Sequence, residues 1–272
     1  MGRYWRVFAT FAVAGMVRDM TFRTNFLIAC ISSIAWVAMN LSFYVLVFSF
    51  TPELGLNTGW SREPFFVFVA TGLIINSIVQ TFFMPSAEEF SEMVRSGGLD
   101  AVLVQPLDAQ FLITCHRVDY SSLANGMVGF LLLFWSLLST KWTPTPVAFL
   151  LYPLFVISGV TILYSFIIGL AAATIFLGRN QSLYDFWFYI PTFSRYPMEI
   201  YSGPWGTPLQ TLCTFVLPIL VVVNVPARLL ARPFLMSDTN LAIWSLLAAG
   251  VSFIVSRRVF THSIDRYRSA SS

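Results

Sequence analysis

The longest charge-free stretch of the chain, WTPTPVAFLLYPLFVISGVTILYSFIIGLAAATIFLG at residues 142–178, decides the fold class. A helix needs about 20 apolar residues to cross the hydrocarbon core of a bilayer, and an ionised side chain there costs several kcal/mol. Pro144 and Pro146 open the stretch, and proline suits the first turn of a helix. We therefore expect a membrane-spanning helix over residues 147–178, tilted to accommodate its length.

The composition extends this interpretation to the whole chain. Of its 272 residues, 57% are hydrophobic and only 11% are charged, and the mean hydropathy is +0.73. Soluble domains carry about 25% charged residues, so the composition predicts an all-α integral membrane protein. The net charge of +3 is too small and too dispersed to indicate nucleic-acid binding.

Four other charge-free runs predict further spans, at residues 25–51, 64–87, 120–140 and 239–256. Asp238 is the expected N-cap of the last span. Arginines cluster at both ends of the chain, and cytoplasmic flanks of spans are enriched in Lys and Arg. Both termini should therefore be cytoplasmic, which requires an even number of crossings, six in total. The clustered arginines are Arg3, Arg6, Arg18 and Arg23 near the N-terminus and Arg257, Arg258, Arg266 and Arg268 near the C-terminus.

The sixth crossing must come from residues 182–230, which are apolar but interrupted by six prolines. Two uninterrupted helices are incompatible with so many prolines. We favour a fifth helix over residues 182–201, followed by a re-entrant pair over 205–230 on the outer side. The reverse order, with an interfacial first half and a crossing at residues 207–227, fits the charges nearly as well.

Residues 1–24 mix arginines with Tyr4, Trp5 and Phe8, a pattern typical of an amphipathic helix on the inner membrane face. A cleavable signal peptide is the weaker alternative, because the apolar run that follows is too long for one. We expect one transmembrane domain over residues 1–272.

Motifs for catalysis are absent: the sequence has no phosphate-binding GxxxxGK[ST] loop, no GxSxG and no HExxH. The three cysteines and two histidines lack metal-ligand spacing, so we expect neither a metal nor a cofactor in this chain. Asp119 and Asp185 lie near the ends of spans, where a solvated role is the better interpretation. The chain is therefore not expected to be an enzyme.

One polar segment, residues 86–110, is long enough to be a working part. Phe90, Met93 and Val94 fall at helical spacing with acidic residues on the other face, and then a glycine pair precedes an apolar piece. This arrangement fits a short helix, a hinge and a surface that contacts a partner. A solvated loop whose glycines end a helix fits the same pattern.

Three stretches resemble one family. EMVRSGGLDAVLVQPL at residues 92–107 is similar to the "G-x-L-D-x-x-L-x-x-P-L" signature of ABC-2 type permeases, in their DUF990 branch. FSRYPMEIYSG at 193–203 and TFVLPILVVVNVPARLL at 214–230 resemble two later elements of the same branch. Gln105 stands where the family pattern suggests Arg. The resemblance covers nearly the whole chain.

This resemblance implies a six-helix half-transporter in a bacterial cytoplasmic membrane that exports its substrate. It would pair with a second permease, of the same or a related sequence, and with separate ATPase subunits that hold ATP and Mg. Residues 86–110 would be the coupling segment, and the proline-rich region the outer gate. The implied ATPase-contact residues are Glu88, Glu89, Phe90, Glu92, Arg95, Gly97, Gly98, Leu99, Asp100, Leu103 and Pro106, with the apolar anchors at Leu99 and Leu103. The implied gate residues are Pro197, Pro204, Pro218 and Pro226.

Two alternatives remain open from the sequence. A secondary carrier would need an ion site near the midplane, and the spans offer few charges for it. A non-transporting scaffold would use residues 86–110 to recruit a different cytoplasmic protein.

Overall fold

The computed structural model describes residues 2–55, 58–96, 98–140, 143–177, 191–233 and 235–267. Within these residues the secondary structure is helical, with one isolated β-bridge between Glu53 and Ser61. Five helices are long and apolar enough to cross a membrane, or six if a bent pair counts as one span. The expectation of an all-α integral membrane protein is confirmed.

The helices that position the functional regions follow one another in a simple order. They are α1 (Gly2–Thr21), α2 (Arg23–Phe50), α3 (Arg62–Phe82), α4 (Met84–Ser96), α5 (Leu99–Leu103), α6 (Ala109–Cys115), α7 (Leu123–Ser139), α8 (Pro146–Leu177), α9 (Gly206–Thr211), α10 (Ile219–Ala231) and α11 (Met236–Arg266). Short 3₁₀ turns lie at Tyr120–Ser122 and Met198–Tyr201, and a π-helical turn at Leu212–Val216 extends α9.

The bundle has two ends, and the short helices α4, α5 and α6 mark one of them, which we call the α4 end. Phe90 of α4 packs against Phe260 of α11, with 6.0 Å between ring centroids, and against residues near the end of α8. Tyr4 of α1 lies edge-on to Phe111 of α6, with centroids 5.0 Å apart. The first helix and the last turns of α11 therefore lie at the same end. The opposite end, which carries the α2–α3 loop, is the far end.

Helix α10 is the centre of the core, because all 13 of its residues are buried, packed among α3, α8 and α11. Pro226 inside it has no N–H, so the carbonyl of Val222 loses its helical donor. Gly159 of α8 approaches that carbonyl so closely that a Cβ at this position would lie 2.8 Å from Val222 O. Small residues at such crossings let helix backbones pack tightly within a membrane.

The proline-rich region forms a bent pair in which α9 and its π-helical turn meet α10 at 86°. Both ends of the pair lie at the far end: a Cβ on Gly206 would touch the Tyr201 carbonyl, and Arg228 binds Asp238 at the start of α11. The middle of the pair lies deeper, where Trp244 Nε1 donates to Thr214 O over 2.7 Å. Trp244 is about 12 Å into α11 at the helical rise of 1.5 Å per residue. The pair thus enters and leaves the bundle at one end.

The chain order across this region follows from the same contacts. Ile175 of α8 packs at the α4 end, whereas Glu199 accepts a hydrogen bond from Trp60 at the far end. Residues 175 and 199 therefore lie at opposite ends of the bundle, and both precede the bent pair in the chain. Part of the helix expected over 182–201, residues 182–190, lies outside the described residues.

Three predicted boundaries need correction. The helix expected to reach Tyr201 ends before Pro197, and the chain continues as a 3₁₀ turn. Proline has no backbone N–H with which to continue a helix. The span expected to reach residue 87 ends at Phe82, since Pro85 occupies the first turn of a new helix, α4. Asp238 is not the N-cap of the last span: it lies inside α11 and accepts the Leu235 N–H at 3.0 Å.

Candidate functional site

Residues 84–115, which we call the α4–α6 segment, form a compact cap on the α4 end. Helix α4 is amphipathic: Phe90 on its inner face is fully buried, and Glu88 and Glu92 on its outer face are exposed. It ends at Ser96, before the glycine pair, and α5 begins with Leu99, which is also fully buried. Local amphipathicity and the glycine break therefore decide which way the segment faces.

The burial of Phe90 and Leu99 corrects one predicted role. Both were expected at a partner-facing surface, with Leu99 as an anchor, yet they belong to a core cluster with Ile113 and Phe260. Leu103, the other expected anchor, is partly buried against the same cluster. Because a fully buried side chain cannot reach a partner, Phe90 and Leu99 seat the segment on the chain's own bundle.

Three consecutive exposed residues follow α5, and we call them the tip: Val104, Gln105 and Pro106. Val104 is 85% exposed and lies outside the candidate membrane spans. Val104 is the C-cap of α5, and Gln105 N–H donates to Val102 O. Pro106 was among the predicted contact residues and Val104 was not, because a valine within an apolar run has no signal that distinguishes it from a core residue.

The remaining predicted contact residues surround the tip unevenly. Gly98 is exposed, and the Glu89 and Asp100 side chains are partly buried. Glu89 Oε2 lies 3.1 Å from His116 Nε2 and 3.4 Å from Arg117 Nη1. Gly97 and the side chain of Arg95 lie outside the part of the chain that the structure describes.

An ion pair connects the base of the segment to α11. Arg257 Nη1 donates to Asp108 Oδ1 at 2.8 Å, and its Nη2 donates to Asp108 Oδ2. Asp108 also caps α6 by accepting the Phe111 N–H at 3.1 Å. The hydrogen bond from Arg257 is the main cause that holds the pKa of Asp108 below its ordinary value.

The same arginine extends the connection to α8. Arg257 Nη1 donates to Gln110 Oε1 at 2.9 Å, and Gln110 Nε2 donates to the Tyr164 hydroxyl at 2.9 Å. A displacement of the segment would therefore move two long helices at once, α8 and α11.

Helix α1 lies beside the segment. Arg18 Nη2 donates to Val118 O at 2.8 Å, and the Tyr120 hydroxyl donates to Ala12 O at 2.9 Å. Gly15 permits this close approach, since a Cβ there would lie 2.9 Å from Val118 O. These contacts hold α1 against the residues that directly follow the segment.

A second polar group, the far-end cluster, joins the bent pair to its surroundings. Arg228 is only 7% exposed and donates to Asp238 Oδ1 and to Glu199 Oε1, each at 2.8 Å. Arg232 donates to Glu199 at 3.0 Å, and its guanidinium lies over the ring of Trp60, which donates to Glu199 at 2.9 Å. The cluster was missed because its members are distant in the sequence. It consists of Trp60, Glu199, Arg228, Arg232 and Asp238.

The four proline positions expected at the outer gate have different surroundings. Pro197 is buried before the 3₁₀ turn, Pro204 is exposed in the following turn, and Pro218 lies at the 86° bend. Pro226 is buried within α10. They belong to one bent element, although only Pro204 lies on the surface.

Comparison with known proteins gives one result. The family model described as ABC-2 family transporter protein matches residues 34–271. No curated protein matches the chain, and no solved structure matches it.

Proposed function

The chain belongs to the ABC-2 family of transporter proteins, and from this premise we propose that it is the permease subunit of an ATP-driven exporter in a bacterial cytoplasmic membrane. Members of this family are membrane subunits that operate with ABC ATPase subunits. In our proposal both termini and the α4 end face the cytoplasm. The substrate passes between this chain and a second permease, of the same or a related sequence.

The observation that carries the proposal is the exposed tip of the α4–α6 segment. An exposed valine two residues before an exposed proline is suited to a pocket on a partner protein, and buried apolar anchors dominate the energy of such contacts. Glu88 and Glu92 on the outer face of α4 add negative charge at the same end of the bundle, which steers a basic partner surface. We assign the ATPase contact to the tip and to this acidic face.

Coupling then follows from how the segment is attached. Closure of two ATPase subunits must move the spans through a stiff connection. Phe90 and Leu99 prevent the segment from sliding, because their burial fills the space between α4, α8 and α11. The Asp108–Arg257 pair transfers the displacement to α11, and Gln110 and Tyr164 transfer it to α8.

The bent pair serves as the outer gate in this proposal. It lines the far end, and the far-end cluster attaches it to α11 and to the α2–α3 loop. Movement of α11 would reach the gate through Asp238, since Arg228 of α10 binds this residue directly.

The first experiment is a mild-detergent pull-down of the tagged chain from its native membrane, with mass spectrometry of the bound proteins. We expect an ABC ATPase at equal stoichiometry and a permease partner. Recovery with a different cytoplasmic protein would favour a scaffold, and recovery of the chain alone would favour a secondary carrier.

The second experiment tests the tip with Val104→Asp and its conservative control Val104→Ile. Because Val104 is 85% exposed, neither variant should affect folding. Val104→Asp should reduce ATPase binding at least tenfold, which corresponds to about 1.4 kcal/mol, while Val104→Ile should retain it. Equal binding by both variants would exclude the tip as the contact.

A further inference from the structure

Helix α2 stands away from α3 through the middle of the bundle. At the far end the two helices meet through aromatic rings, with the Tyr44 and Phe65 centroids 4.9 Å apart. At the α4 end α2 contacts the 3₁₀ turn before α7 instead, where Cys30 Sγ lies 3.9 Å from Ser121 O. A cleft of about 230 Å³ lies between α2 and α3 and is bordered by residues 191–195.

The wall of this cleft carries carboxamides at helical spacing. Gly72, Asn76 and Gln80 follow one another at intervals of four on α3, so they share one face of the helix. Asn40 of α2 and Asn125 of α7 add two more carboxamides. A stripe of four such residues in a membrane-spanning region is costly unless the side chains bind something.

One amide oxygen in the cleft is buried without a hydrogen-bond donor among the described residues. The Nδ2 atoms of Asn40 and Asn76 donate to the carbonyls of Trp36 and Gly72 in their own helices, at 2.8 and 2.9 Å. Asn125 Oδ1, in contrast, is buried and has no hydrogen-bond partner among the described residues. Because an unsatisfied buried acceptor is destabilising, this wall is built for a molecule that brings hydrogen-bond donors.

The charge of the cleft restricts that molecule further. Arg195 is the one charged side chain among the described residues that line it, and none of them is acidic. A cation would therefore face a positive group with no counter-charge in a low-dielectric space. Trp36, Tyr44 and Phe68 supply aromatic faces beside the amides.

Two routes lead into the cleft. Trp36 is 57% exposed on the outer surface of α2, so an apolar group held beside it can extend into the lipid. Gln80 also lines a second cavity at the α4 end, with Arg18, Asp19 and Asp119. The cleft thus adjoins a polar vestibule on the side that the proposed function places in the cytoplasm.

We propose that the cleft between α2 and α3 binds the transported molecule, and that this molecule is an amphiphile with an uncharged head rich in hydroxyl or amide donors. The statement that this molecule is transported rests on the proposed permease function. Binding itself requires only the chain.

The test uses three probes with the same chain length, octyl β-D-glucoside, octyltrimethylammonium and octyl phosphate, each below its micellar concentration. The chain, with the proteins that copurify with it, is reconstituted into lipid nanodiscs. The unfolding midpoint of the chain is measured against probe concentration, since a ligand that binds the native state raises this midpoint. Asn76→Leu removes one amide of the stripe. Ser42→Leu is the matched control, because Ser42 is an exposed residue of α2 outside the cleft.

We expect the glucoside alone to raise the midpoint of the wild-type chain and of Ser42→Leu in a saturable manner. In Asn76→Leu the concentration for half of the effect should increase at least tenfold. A response to the cationic or anionic probe alone, an equal response in Asn76→Leu, or no response to any probe would overturn the inference. Failure of the permease function has a separate signature, the absence of an ABC ATPase from the copurified proteins.

Discussion

The far-end cluster provides the sharpest test of the fold, through Arg228→Met. Arg228 is 7% exposed and its partner Asp238 is 2% exposed, so this substitution leaves a buried carboxylate without its main counter-charge. Removal of one partner from a buried ion pair costs about 3–5 kcal/mol. Arg232 remains 3.8 Å from Asp238 and 3.0 Å from Glu199, so it compensates in part. We therefore expect the free energy of unfolding to fall by an amount near the lower limit of this range, about 3 kcal/mol. This corresponds to roughly a 100-fold change in the unfolding equilibrium.

The assay is reversible unfolding of the purified chain in mixed micelles, followed by tryptophan fluorescence. Arg232→Met is the matched control, because its side chain is 26% exposed and should contribute about 1 kcal/mol or less. Adding Asp238→Asn to Arg228→Met should recover part of the loss, since the uncompensated charge is then gone. The prediction is wrong if the free energy of unfolding of Arg228→Met lies within about 0.5 kcal/mol of the wild-type value, the range typical of surface substitutions. It is also wrong if the free energy of unfolding falls by the same amount in both single arginine variants.

Three further predictions concern packing, pH and coupling. Gly159→Ala should destabilise the chain by about 1–3 kcal/mol, because the new Cβ would lie 2.8 Å from Val222 O. Gly169→Ala on the same helix should be neutral, because a Cβ there would meet nothing within 4 Å. Thermal unfolding of the two variants measures the difference. For Asp108, whose folded pKa is lowered by Arg257, the stabilising contribution is fully present above the ordinary carboxyl range and is lost as the pH falls through the lowered pKa. Asp108→Asn should therefore abolish that acid-dependent step in an unfolding series from neutral to acidic pH, and an unchanged step would assign it to another group. In the assembled transporter, Val104→Asp should lower substrate-dependent ATPase activity at least fivefold, and unimpaired activity would place the contact elsewhere on the α4 end.

The two polar connections of the chain lie at opposite ends of the same helix. Arg257 and Asp238 both belong to α11, one near the α4–α6 segment and the other in the far-end cluster. A rigid α11 would therefore carry a displacement from one end of the bundle to the other. Helix α10 adds a second contact surface along this path, because it is buried against both α8 and α11.

The amide-lined cleft and the far-end cluster place polar groups in different environments. In the cluster each acidic group has a basic partner within hydrogen-bond distance, which satisfies the buried charges. In the cleft the amide oxygen of Asn125 is buried and has no hydrogen-bond donor among the described residues. The first arrangement therefore fixes a structure, and the second is suited to binding a donor from outside.

The sequence by itself determined the fold class and the positions of most spans. Charge-free runs of about 20 residues leave no soluble alternative, and the runs at 25–51, 120–140 and 147–178 correspond closely to α2, α7 and α8. The amphipathic pattern of Phe90, Met93 and Val94 likewise predicted a helix outside the spans. These features are local, because hydropathy and helical periodicity are properties of neighbouring residues.

Only the tertiary structure decided which side of the α4–α6 segment faces a partner and which polar residues meet. An apolar residue such as Leu99 or Val104 has the same sequence signature whether it is buried or exposed, since burial depends on what packs against it. Glu199, Arg228 and Asp238 meet because the proline-rich chain turns back at 86°, and no local pattern specifies the direction of that turn. The cleft depends on the separation of α2 from α3, which is decided by the aromatic contacts at one end and the 3₁₀ turn at the other.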